Sequence, residues 1–190
     1  MSVQIVSAEQ LRQSVRFEDL IEPVSRAFQE YSDGLATSGI ITMFPAPKPE
    51  MGDVYVKTGT IQGHEVYIVK VSPWFAVNSE RNQPQGGFIA VFDAATGHTT
   101  AILNEEHYLS DIRTAAAGTL AARALAPKRV RVAGVLGTGV QAYWQPQALA
   151  QARTFETLVI WGRDAQKAVR LKERLHTRLA GGANQRCAEC

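Results

Sequence analysis

A chain of 190 residues with 45% hydrophobic and 20% charged content is long enough to bury one good core or two small domains. Its 20 basic and 18 acidic residues are interleaved for a net charge of +2, which leaves no electrostatic footprint for nucleic acid or an anionic membrane and favours small-molecule chemistry. The opening MSVQIVSAEQ lacks a basic stretch leading into an apolar one, and no apolar run approaches the roughly 18 residues that span a bilayer, so a cytoplasmic protein is expected.

Ser7 and Gln10 stand at capping-box spacing and predict a short first helix. Phe17, Leu20, Ile21, Val24, Ala27, Phe28 and Tyr31 recur at three and four residues, predicting a second helix with a core-facing stripe and Gly34 just past its end. From Asp53 to Val71 the period falls to two, in DVYVKT and HEVYIVKV, with the Gly59 to Gly63 region turning the chain between paired strands. GFIAVFDA and TTAILN repeat that pattern around Ala95-Thr96-Gly97 as a hairpin. Ser110 is read as the cap of an alanine-rich helix running to Ala126, and Pro127-Lys128 as the break that closes an antiparallel, β-rich domain over residues 1–127.

Residues 128–190 read β-α-β-α, the start of a Rossmann-type domain, which makes the chain α/β. A strand RVRVAGVL and a helix precede the strand TLVIWG, and a last helix carries Ala168, Leu171 and Leu175 in register. Cys187 and Cys190 form a lone C-x-x-C with no second pair to complete a zinc tetrahedron, so no metal site is expected.

Between the first strand and helix of that second domain, Gly137-Thr138-Gly139-Val140-Gln141-Ala142 fits G-x-G-x-x-A. In a dinucleotide-binding turn the first glycine permits the bend, the second admits a pyrophosphate to the backbone, and the small third residue lets helix and strand close up. The following helix offers free N–H groups and the positive end of its dipole to phosphate. Pro146 falls about two turns into this helix and is expected to cost it a hydrogen bond. At the end of the second strand, Arg163 can pair with a ribose 2′-phosphate and Asp164 with a 2′-hydroxyl, which favours NADP over NAD.

Two cations of the first domain have unusual settings. Lys70 sits in a strand that is apolar on both faces, where a lysine partly removed from water is placed to exchange protons with a ligand. Arg113 falls at the third position of a helix begun by Ser110, where a cation opposes the dipole, and so reads as an anion clamp. Taken alone, each is equally explained as a snorkelling or surface-paired charge.

The segments VYVKTG, YIVKVSPWFAVN, VFDAATG, YLSDIRTAAAG and GVLGTGVQA, spread from Val54 to Ala142 and continued by VIWGRD, resemble the ornithine cyclodeaminase/mu-crystallin family. The resemblance implies a β-rich substrate and dimerisation domain ahead of a Rossmann domain, with a homodimer as the assembly. It further implies that Lys70 is the acid/base beside the substrate's α-carbon, that Arg113 binds the substrate carboxylate, and that Gly137, Gly139 and Gln141 belong to the pyrophosphate turn. WGR resembles the NADPH-using members. The expected activity is hydride transfer at the α-carbon of a small amino or imino acid, as a ketimine reductase, an alanine-dehydrogenase-like enzyme or a cyclodeaminase. The alternative is a non-catalytic NADP(H)-binding protein of the crystallin kind.

Two departures qualify these expectations. Ornithine-cyclising members carry a second carboxylate-binding arginine where this chain has Phe44-Pro45-Ala46-Pro47-Lys48, and an acidic residue near Lys57, so Lys48 or Lys57 is left to supply the missing charge. The family's later Rossmann strands and an aspartate that assists catalysis have no counterpart in these residues. A partial chain, inactive by itself, is therefore expected.

Overall fold

The computed structural model describes residues 2–81, 83–179 and 186–187. They divide into two units, Met1–Arg16 with Ser25–Ser110, and Phe17–Val24 with Asp111–Cys190. The boundary expected from sequence stands at Pro127; by packing, the alanine-rich helix goes almost wholly with the second unit.

The first unit is built on strands β1 (Gln4–Val6), β2 (Ala36–Met43), β3 (Gly52–Ile61), β4 (Val66–Phe75), β5 (Phe88–Asp93) and β6 (Thr99–Leu103). They form one sheet in the order β1-β6-β5-β4-β3-β2, antiparallel except for β1 against β6. Helix α1 (Ala8–Ser14) begins at a full capping box, with Gln10 N donating to Ser7 Oγ and Ser7 N donating to Gln10 Oε1. The β5–β6 turn forms because Asp93 Oδ1 accepts from Ala95 N and Thr96 N at 3.0 and 2.7 Å while Gly97 takes φ +73°.

Two features of this unit differ from expectation. In α2 (Ile21–Ser32) only Ile21 is buried, and Phe28 and Tyr31, expected in the core, are exposed. Strand β2 has no counterpart among the predicted elements, because ATSGIITM lacks the clean alternation that marks a half-buried strand, and nearly all of it is exposed.

The second unit contains α4 (Tyr108–Leu125, which starts in the first unit), β7 (Val132–Leu136), α5 (Val140–Ala152), β8 (Thr157–Trp161), α6 (Ala165–Leu179) and the two-residue β9 (Arg186–Cys187); a short α3 (Ala76–Glu80) belongs to the first. Strands β7, β8 and β9 pair in parallel in that order, so the expected β-α-β-α succession is present. Its core is Ala133, Phe155, Leu158, Ile160, Leu171 and Leu175. Pro146 is fully buried inside α5, which runs on through it. Arg153 closes the carboxyl end of α4, donating to the carbonyls of Arg123, Ala126 and Pro127 at 2.9 to 3.3 Å. Cys190, one half of the terminal cysteine pair, lies outside the described residues. Among those residues no helix is long and apolar enough to cross a membrane.

Candidate active site

Strand alternation sends Lys70 of β4 to one face of the first unit's sheet, where its side chain retains 13% exposure. Its Nζ lies 2.6 Å from Glu105 Oε1, and the Glu105 side chain is completely buried. Nζ also donates to Ser110 Oγ, which in turn donates to Glu105 Oε1 at 2.8 Å, while Ser110 N donates to Glu105 Oε2 at 2.8 Å. The three side chains close a ring in which each polar group has a partner. Burial by itself would push the Glu105 carboxyl up; the hydrogen bond and charge of Lys70, joined by the two bonds from Ser110, outweigh it and hold the carboxyl below the usual range.

This ring corrects the reading of the helix start. α4 begins at Tyr108, so Ser110 lies inside its first turn, and the carboxylate that receives an orphan amide there is Glu105. Arg113 consequently falls in the second turn, beyond the strongest part of the dipole, and is exposed.

The segment delivering Glu105 is strained and braced. Glu106 and His107 take φ +46° and +64°, a left-handed conformation that side chains other than glycine adopt at a cost of about 1–3 kcal/mol each. His107 Nε2 donates to the carbonyl of Pro73 at 2.8 Å and lies 3.3 Å from Ser72 Oγ, two residues beyond Lys70. On the other side Arg12 pairs with Glu106 at 3.3 Å, and Tyr108 OH donates to the carbonyl of Val15 at 2.6 Å. Glu105 and His107 were not among the candidates read from sequence. The available signal was NEEH directly before a helix start, a carboxylate at the position where first-turn amides need an acceptor.

Lys57 of β3 stands directly opposite Lys70 in the β3–β4 register. It is exposed, and its Nζ lies 5.3 Å from the centroid of the Tyr55 ring. Lys48 is also exposed and lies before β3.

In the second unit the glycine run forms a tight turn from β7 into α5. Gly137 takes φ +117°, which a side chain rarely adopts, and its N–H donates to the carbonyl of Trp161 at 2.7 Å, tying the turn to the end of β8. A Cβ placed on Gly137 or Gly139 would meet nothing within 4 Å, so the space above the turn is open. Gly139 is the N-cap of α5 and supplies no side-chain acceptor, leaving the amides after it, from Val140 onward, for a ligand. A Cβ on Gly162 would lie 2.6 Å from Thr138 Cγ2, so Thr138 spends its side chain on that contact. The Gln141 side chain reaches Asp111 of α4, 3.4 Å from both its carbonyl and Oδ1. Arg163 is exposed just after β8, and Asp164 caps α6 by accepting from Lys167 N at 3.1 Å. A bend without side chains, open space and an uncapped helix together fit a dinucleotide pyrophosphate.

Over residues 1–183 the chain matches the ornithine cyclodeaminase/mu-crystallin family, and it belongs to that family. It is 34% identical over 180 residues to an uncharacterized cyclodeaminase of Sinorhizobium fredii, covering 92% of this chain and 53% of that protein. It is 27% identical over 165 residues to a Delta(1)-pyrroline-2-carboxylate reductase of Bacillus cereus, covering 86% and 50% respectively. The solved structure of Thermococcus litoralis Delta(1)-pyrroline-2-carboxylate reductase in complex with NADH and L-proline is similar with a TM-score of 0.86 at 25% identity, over 98% of this chain and 57% of that one. The chain spans about half the length of the curated relatives it matches.

Proposed function

We propose that this chain carries the acid/base lysine and the cofactor turn of an NAD(P)-dependent enzyme that acts at the α-carbon of a small amino or imino acid. The observation that carries the reading is the turn at Gly137, open above its glycines and followed by a helix without a side-chain cap. A bound nicotinamide supplies hydride exchange at carbon. The chain's own residues do the rest: the amides behind Gly139 hold the pyrophosphate, Gly137, Thr138, Val140 and Gln141 shape the turn, Lys70 handles the proton, and Arg113 and Lys57 bind carboxylate. The relatives named as reductases of a cyclic imino acid favour imine reduction among the family's chemistries. Arg163, and Asp164 beside it, read the ribose, with NADP the favoured cofactor.

A homodimer formed through the β-rich unit completes the proposal. It is supported by edge strand β2, where Ile40 and Ile41 point to opposite faces and are 61% and 64% exposed. The deciding experiment titrates the chain with NADPH and NADH by fluorescence and then adds Delta(1)-pyrroline-2-carboxylate and other imino acids. Binding with turnover supports the enzyme. Binding without turnover, in this chain and in one extended to the relatives' length, supports the non-catalytic alternative, and no binding overturns both.

A further inference from the structure

We propose that Glu105 is the positioning residue of Lys70, fixing its ammonium against Ser110 so that Lys70 meets the substrate already carrying the proton it delivers. The inference rests on the proposed role of Lys70 and adds to it the charge state and the group that sets it.

Three observations carry it. The first is the ring itself: Glu105, with no exposed side-chain surface, directs one oxygen to Lys70 Nζ at 2.6 Å, and Ser110 binds both oxygens as well as Nζ. A buried carboxylate with such partners is a counter-ion held in one place, since a misplaced one would bear its desolvation cost without compensation. The second is Lys57, directly opposite Lys70 across the β3–β4 ladder. Like charges directly opposite one another repel, and a carboxylate set against Nζ offsets that repulsion. The opposing residue on the other neighbouring strand is Ile89 of β5, which contributes no charge, and Glu105 is the carboxylate placed on Nζ itself. The third is donor arithmetic. An ammonium has three N–H donors, and Glu105 and Ser110 take two of them. The third is left, on a side chain with 13% exposure, to meet a ligand. Donation of that proton to a substrate nitrogen leaves a neutral amine still oriented by Ser110 and beside a carboxylate that favours its return to the charged form.

The test measures Lys70 directly. The intact chain is treated with an amine acetylating reagent from about pH 7 to about pH 12, a range that brackets the ordinary lysine value of about 10.4, and modification of the Lys70 peptide is followed by mass spectrometry. The high-pH plateau reports access to Nζ, and the midpoint reports its protonation. Glu105→Gln is expected to move the midpoint down by about one pH unit or more with the plateau within a few-fold, and Ser110→Ala to move it less in the same direction. If Glu105→Gln does not fold, Glu105→Asp, with the same charge on a shorter arm, takes its place and is expected to move the midpoint partway. An unchanged midpoint in the variants overturns the proposal. Where imino-acid turnover is present, Glu105→Gln should lower kcat about 10²-fold while cofactor affinity is kept, and equal losses in both also overturn it. If the wild-type chain binds no cofactor and turns nothing over, the midpoint shift still decides the role of Glu105, and only the enzymatic reading fails.

Discussion

Glu105 stays a carboxylate despite its burial because Lys70 and Ser110 hold its carboxyl below the ordinary range. A carboxyl whose folded value lies below its unfolded value of about 4.3 contributes stability that is fully present above that pH and is lost as pH falls through the folded value. Glu105→Gln leaves the Lys70 ammonium buried beside an amide, and at pH 7 it should cost about 3 kcal/mol or more. That gap between variant and wild type should narrow below about pH 4, as the wild-type carboxylate itself takes up a proton. Thermal midpoints across that range check this, and a gap that stays constant with pH would show that Glu105 stabilises the fold by packing alone. Arg163 gives a second expectation at this scale. A charge-assisted phosphate contact contributes about 1.5–3 kcal/mol, so Arg163→Ala should weaken NADPH about tenfold or more and leave NADH nearly unchanged. Equal losses for the two would remove Arg163 from the ribose site. Lys70 was legible in the sequence because a cation in an apolar strand stands out against its neighbours. Glu105 was not, because its partner is 35 residues away in the chain and only the β4–β5–β6 ladder brings the two together.

Among the elements, those with strong local signals were read correctly: the Ser7 capping box, the β3–β4 and β5–β6 hairpins, and the glycine turn between β7 and α5. Those whose positions depend on distant partners were not. β2 is a strand because β3 offers it a full row of backbone partners, from Ala36 opposite Ile61 to Met43 opposite Val54, and its side chains carry no pattern that announces this. The start of α4 was misplaced for a local reason: its first-turn acceptor is the Glu105 carboxylate, in the segment just before the helix, rather than the Ser110 hydroxyl. The end of α4 does hide a long-range device in Arg153, whose guanidinium gathers carbonyls that the helix leaves unpaired. Arg153→Ala should therefore destabilise the second unit by about 2 kcal/mol, and Arg153→Lys should recover little, because a single ammonium cannot reproduce a planar fork. Chemical denaturation followed by tryptophan fluorescence measures both, and full recovery by lysine would show that charge alone matters.

For the whole molecule, the first unit's sheet ends in the exposed edge strand β2. An edge strand with apolar side chains on both faces is an invitation to pair, and the proposed dimer is the form in which β2 is covered. Light scattering of the wild-type chain should show a dimer or larger species, and Ile41→Lys should shift it toward monomer without lowering the thermal midpoint by more than a fraction of the wild-type value's spread between preparations. A wild-type chain that is monomeric at micromolar concentration would place the association elsewhere or abolish it. At its other edge the same sheet is closed by β1, which lies in parallel register on β6, Gln4 against Ala101 and Val6 against Leu103. Of this sheet's strands β1 is made first, yet its partner β6 is the last to be made, so the pairing has to wait until the chain beyond residue 103 has emerged. Contacts of such long sequence separation slow folding, since the loop must close before the pairing rewards it. The hairpins from β3 to β6 join neighbours in sequence and can form as they are made, whereas β1, and with α1 the brace that Arg12 lays on Glu106, needs the whole sheet's span of chain. A strand order that sets β1 beside β6 thus makes the Arg12 brace on Glu106 depend on the contact of longest sequence separation in the sheet.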